Sequence, residues 1–180
     1  MTKHARFTKT HLTLAALALA MSAAAGSAIA AQANATSTST VVTPIAISKA
    51  NDLGFGTFAA GASIGTVTVS TNGTRSKTGG VTLLTGGTVG AAKFDVTGSG
   101  TMTYSISWAG SSTTLVSGTD NMTFTRVADL TGGGAVTGDV SSGALTAGAQ
   151  SIYVGGVLDV AINQPAGSYS GTISATVEYN

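Results

Sequence analysis

The chain has 180 residues, 43% of them hydrophobic and only 8% charged, with 25 glycines, two histidines and no cysteine. That length suits one domain, or at most two small ones, and both histidines, His4 and His11, fall in a segment that reads as an export signal. A product lacking histidine and cysteine excludes Ser-His and Cys-His nucleophilic pairs, imidazole- or thiolate-bound zinc, the usual haem and iron–sulfur ligands, and disulfides.

Lys3, Arg6 and Lys9 form a basic start, Leu12 to Ala25 an apolar run, and Ala28-Ile29-Ala30 a small-residue cleavage signature. Residues 1–30 are therefore expected to be a signal peptide, cleaved after Ala30, with Ala31 or Ala33 as alternatives. The apolar run is too short for a membrane anchor, and no later stretch approaches the ~20 apolar residues of a spanning helix. The expected location runs from the periplasm to the cell surface. Removing the segment leaves Lys49, Arg75, Lys77, Lys93 and Arg126 against seven acids, a net charge of −2. No basic stripe remains, which argues against nucleic acid as a partner.

Residues 31–40 (AQANATSTST) read as a flexible Ser/Thr-rich extension. Residues 41–180 read as a single β-sandwich domain. Period-two alternation, the mark of a strand with one buried side, recurs along it. In chain order the candidates are 41–47, 55–58, Val67 and Val69, 81–84, Phe94 and Val96, then Met102, Tyr104, Ile106 and Trp108. They continue with 113–116, Met122 and Phe124, and the run Ile152, Val154, Leu158, Val160 and Ile162. The longest alternation closes the chain: Tyr169, Gly171, Ile173, Ala175, Val177 and Tyr179 share one face, and Ser170, Thr172, Ser174, Thr176 and Glu178 the other. Turn clusters separate these segments, among them Thr71-Asn72-Gly73, Gly98-Ser99-Gly100, Thr131 to Gly134 and Pro165-Ala166-Gly167. The expectation is an all-β antiparallel sandwich of about eight to ten strands.

Alternation places most aromatic residues in the core. Tyr153 occupies the polar parity of its strand and is the best candidate for an exposed stacking ring. The acids Asp52, Asp95, Asp120, Asp129, Asp139, Asp159 and Glu178 are scattered singly, as turn caps and surface charges are. They do not make the close oxygen cluster of a calcium loop. Gly132-Gly133-Gly134 lacks the Lys-Ser/Thr of a phosphate loop and reads as a flexible turn. The expectation is a protein that is not an enzyme and holds no cofactor or metal.

Two segments carry a resemblance: Val41-Val42-Thr43-Pro44-Ile45-Ala46-Ile47-Ser48 followed by Asp52-Leu53-Gly54-Phe55-Gly56-Thr57-Phe58, and Asn163 to Asn180, with its Pro165-Ala166-Gly167-Ser168-Tyr169 start. With Gly65 to Ser70 and Gly79 to Leu84, they resemble the exported bacterial family called domain of unknown function 4402. The same ends resemble archaic chaperone–usher pilins of the spore-coat-protein-U type. That resemblance implies an immunoglobulin-like, pilin-like sandwich lacking one strand, which a neighbouring subunit's N-terminal extension completes. It also implies a periplasmic chaperone and an outer-membrane usher as partners. Carried over, the donor segment is about 36–47, with Val41, Thr43, Ile45 and Ile47 facing inward. The last strand, with Tyr169, Ile173, Val177 and Tyr179, borders the groove and serves as the chaperone's handle. Two departures stand out: no cysteine follows the donor stretch, and residues 31–40 are polar. Residues 41–47 are thus either a donor or the first strand of a self-contained sandwich.

The functional expectation is a non-catalytic structural subunit of a fimbria-like surface assembly, joined by self-association or to related subunits. The alternative is a monomeric exported module that binds a glycan or another surface.

Overall fold

Thr, Val and Ile at alternate positions favour a pleated chain with one buried side, and frequent glycine lets it turn between strands. The computed structural model describes residues 30–109 and 113–180, and the expected signal peptide lies outside them except for Ala30. The chain divides into two units, Met1–Thr40 and Val41–Asn180. Of the first, residues 30–40 are exposed and carry no regular secondary structure.

The second unit is all-β, with antiparallel pairing throughout and no helix among the described residues. Its strands are β1 (Ala46–Asn51), β2 (Gly54–Phe55), β3 (Phe58–Ala59), β4 (Gly65–Val69), β5 (Arg75–Gly79), β6 (Thr82–Leu83) and β7 (Val89–Gly90). There follow β8 (Ala92–Thr97), β9 (Thr103–Ala109), β10 (Thr114–Ser117), β11 (Asp120–Asp129), β12 (Ser142–Ala144), β13 (Ala149–Val160) and β14 (Ser174–Tyr179). Nine of these have four or more residues, within the expected eight to ten.

The main sheet has seven strands organised on β13. One side of β13 pairs with β11. The other side pairs first with β8, through Ala149 to Val154, and then with β4, through Gly156 to Val160. β1 extends the sheet beyond β8, β5 beyond β4, and β10 beyond β11. A three-stranded sheet, in the order β12-β9-β14, forms a second layer. The short pairs β2·β7 and β3·β6 stand apart from both.

Two apolar clusters lie on the inner face. The first unites Phe94, Val96, Ile152 and Val154 of the main sheet with Tyr104, Ile106 and Val177 of the three-stranded sheet. The second unites Val67, Val69, Met122, Phe124, Leu158 and Val160 with Phe55 and Val81. No residue of β9, β12 or β14 belongs to it. Gly156 sits in mid-strand between the two clusters because a Cβ there would lie 2.2 Å from the Phe124 ring.

Several expectations need correction. The expected strand at 41–47 begins only at Ala46 and runs on to Asn51. Pro44 has no N–H to donate to a sheet ladder. β5, β7 and β12 lie outside the expected strands; β5 (RSKTG) carries no apolar side chain to alternate. Ile162 is 54% exposed rather than inward, because β13 ends at Val160 and the chain turns, with Gln164 N–H donating to the Ala161 carbonyl. The Gly132 to Gly134 turn is anchored, not free. Gly132 N–H donates to Asp129 Oδ1 at 2.7 Å, and Gly134 and Ala135 N–H donate to Thr71 Oγ1 at 3.2 and 2.9 Å.

Candidate functional site

The three-stranded sheet covers the first cluster and does not reach the second, which is covered by irregular chain and the two-residue strands β2, β3 and β6. There a groove of about 780 Å³ opens over the inner face of the main sheet. Met122, Phe124 and Leu158 line it from β11 and β13. One wall is the stretch Leu53 to Ala60, carrying β2 and β3; the other is Gln164 to Ile173. Phe55 packs edge-on against Phe124, with ring centroids 6.0 Å apart. The lining holds hydroxyls and amides but no carboxylate, ammonium or guanidinium. Such a surface suits apolar side chains and backbone hydrogen bonds.

The second wall is the approach to the last strand. β14 pairs with β9 on one side and with no strand on the other among the described residues. Upstream, Ser170 and Val116 exchange backbone hydrogen bonds of 2.9 and 3.0 Å, tying the wall to β10. Gln164 braces it by donating from Nε2 to the Asn121 carbonyl and to Tyr169 Oη, at 3.0 and 2.9 Å. Tyr169 in turn donates to the Pro165 carbonyl at 2.8 Å.

Of the four C-terminal residues expected on the last strand, only Val177 and Tyr179 belong to it, because β14 begins at Ser174; Tyr169 and Ile173 lie in the irregular approach to it. Tyr169 lines the groove, Ile173 joins both clusters, and Val177 is buried in the first. Tyr179 is half-buried at the far end, where its hydroxyl accepts from Ser99 N–H at 2.7 Å and donates to the Thr43 carbonyl at 2.8 Å.

The four N-terminal residues divide. Val41 is 93% exposed and Thr43 is exposed, its carbonyl taken by Tyr179. Ile45 and Ile47 are half-buried against the first cluster, and Ile47 pairs with Val96 in the chain's own sheet. The inward set of a donor segment therefore cannot extend through Ile47: β1 already uses that residue. β1 itself pairs only with β8, so its outer edge is also unpaired by any strand among the described residues.

Other candidates from sequence resolve into structural roles. Tyr153 is half-buried, its ring covered by Gly132, where a Cβ would lie 3.2 Å away. Trp108 donates from Nε1 to the Val140 carbonyl at 3.0 Å and lies under Arg126, 4.3 Å from guanidinium to ring centre. Arg126 also pairs with Asp139. The Asp129 carboxylate accepts from the Thr71 hydroxyl at 2.6 Å and from the N–H groups of Thr131 and Gly132. Burial opposes its ionisation, but these donors outweigh burial and hold its pKa below the ordinary carboxylate value. Asp95 is lowered likewise by Lys93, 2.9 Å away, and by Ser151.

Sequence reasoning placed the groove residues Phe55, Phe124 and Leu158 in the core without seeing that their cover is incomplete. It also missed Gln164 and Arg75. The signal for Arg75 was a cation two residues after a tight turn, at a position that faces Val69 across the hairpin.

No curated protein matches the sequence. Residues 45–179, from the residue before β1 to the end of β14, match the family described as Domain of unknown function (DUF4402), and the chain belongs to that family.

Proposed function

We propose that the protein is an exported, non-catalytic building block of a cell-surface assembly, joined to its neighbours by strand addition at the groove. The observation that carries this is the apolar groove between the Leu53–Ala60 wall and the Gln164–Ile173 wall, which leads into a C-terminal strand whose outer edge no strand pairs among the described residues. An incoming extended segment gains ladder hydrogen bonds from such an edge and pockets for alternate side chains. Occupation also removes an edge that would otherwise aggregate.

The donor is the extension of a neighbouring copy, up to Pro44, because Ile45 and Ile47 serve their own core. Odd positions from Ala31 to Val41 carry Ala, Ala, Ala, Ser, Ser and Val, and even positions from Gln32 to Thr40 carry amides and threonines. That alternation suits a strand with one small-residue side. Backbone pairing, at about 0.5–1.5 kcal/mol net per hydrogen bond, then contributes most of each joint. A chaperone that shields the groove before assembly, and an usher that exports the subunit, fit this reading. Deleting residues 31–44 should abolish oligomer ladders on unheated gels of surface extract while leaving a soluble, folded monomer. Ladders that persist after the deletion would overturn the reading.

A second reading, an exported module for a glycan, has one observation in its favour. On the sheet's outer face, Thr66, Thr78, Thr123, Asn121 and Asp159 line a depression of about 450 Å³ beside the exposed Ile64. Hydroxyl, amide and carboxylate groups converging there suit a polyol. Retention of the purified protein on a polysaccharide resin, lost in Asp159→Ala, would favour it.

A further inference from the structure

Arg75 lies on β5 opposite Val69, and Val69 belongs to the buried inner face. Its guanidinium reaches from the main sheet to the opposite wall of the groove. Nη1 donates to the carbonyls of Phe55 and Thr57 at 2.9 and 3.1 Å, and Nη2 to the Leu84 carbonyl at 3.0 Å. No carboxylate pairs with it among the described residues. The fit is close: Gly56 has φ +66°, and a Cβ there would stand 2.4 Å from Nη1. The Leu53-Gly54-Phe55-Gly56-Thr57-Phe58 segment is thereby shaped around this side chain.

Besides the packing of Phe55 and its apolar neighbours, few backbone hydrogen bonds hold the wall it touches. β2 and β3 are two residues each, and they pair with the equally short β7 and β6. Two further backbone bonds, Thr57 N–H to the Gly86 carbonyl at 3.1 Å and Leu84 N–H to the Thr57 carbonyl at 3.0 Å, tie the wall to the 84–86 loop. Short strands with few hydrogen bonds open readily unless something fixes them. A planar guanidinium with five donors fixes several carbonyls at once, which lysine cannot reproduce.

We infer that Arg75 is the positioning residue of the groove: it holds the Leu53–Ala60 wall at the separation that admits one added strand. The inference rests on the strand-addition reading for its purpose, though not for the hold itself. The partner it serves is an extended segment of a second copy of this chain.

The test uses the full chain carrying Arg75→Ala, with Arg75→Lys as the conservative variant should alanine prevent folding. Hydrogen exchange reports the hold. The amides of Thr57 and Leu84 should exchange at least tenfold faster in either variant, with those of Phe94 and Ile152 unchanged. Acceleration spread evenly over both clusters, or none at the wall, would overturn the inference. Assembly reports the purpose. Wild-type ladders should resist dissociation by at least tenfold longer than those of Arg75→Ala, with Arg75→Lys between the two. Equal lifetimes would overturn the inference while leaving strand addition intact. A wild-type chain that forms no ladder at all would instead defeat strand addition, and hydrogen exchange alone would then decide whether Arg75 holds the wall.

Discussion

The two ends of β13 present the same kind of inner face and receive different covers. Ile152 and Val154 at one end meet the three-stranded sheet, whose Tyr104, Ile106 and Val177 close the first cluster. Leu158 and Val160 at the other end meet instead Phe55, Val81 and half-buried residues of short strands and irregular chain. Both ends are apolar on alternate residues, so amphipathicity alone does not say what lies opposite. The first end behaves as a sheet-on-sheet core, and the second is a core with a slot in it.

The largest expected contrast comes from removing buried side chains at each end. Ile152 is fully buried in the first cluster, and Ile152→Ala should cost about 2–5 kcal/mol in a denaturant titration. Leu115 is half-buried at the groove, and Leu115→Ala should cost less than about 2 kcal/mol, since a partly exposed side chain forfeits only part of its transfer energy. Equal costs would mean that the second end is as closed as the first.

The boundary between the ends is the next place to press. Gly156→Ala would drive a methyl group into the Phe124 ring, and it should destabilise by about 1–3 kcal/mol through overpacking. The same substitution should widen or distort the groove floor, because Phe124 must move. Thermal unfolding checks the first effect, and oligomer lifetime the second.

Much of this was legible beforehand, and for a physical reason. Strands with one dry side must alternate, so β8, β9, β11 and β13 announce themselves through Phe94, Tyr104, Met122, Phe124 and Ile152. β5 did not, because an edge strand needs no apolar residue on either face and its pairing rests on backbone groups that any sequence supplies. The groove escaped for a related reason: burial pattern reports which side faces inward, and it is silent on whether a second layer reaches that far. The division of Val41–Ile47 was equally hidden. Ile45 and Ile47 have the composition of a donor and of a first strand, and only the register of Ile47 with Val96 assigns them to their own sheet.

Smaller effects probe the loop that Asp129 anchors. Asp129→Asn removes the charge that accepts from Thr71, Thr131 and Gly132 and should cost about 1–2 kcal/mol. Because the folded-state pKa of Asp129 is lowered from 3.8, its contribution is fully present above that value and fades as pH falls through the folded value. The difference in stability between wild type and Asp129→Asn should therefore shrink on acidification below about pH 4. A difference that grows with acid would contradict the assignment. The smallest effect has the opposite sign. Tyr104 is fully buried and its hydroxyl has no hydrogen-bond partner among the described residues. Tyr104→Phe should raise stability by about 1 kcal/mol, as removing an unsatisfied polar group does.

Whether the slot takes the leading segment of another copy, as proposed, is directly testable because the chain has no native cysteine. Cysteines placed at Val41 and Ile173 of one chain, treated on intact cells with a short bis-maleimide, should give a covalent ladder on a heated, denaturing gel. Either cysteine alone should give none. A double variant that stays monomeric, or that links only to itself, would contradict the claim.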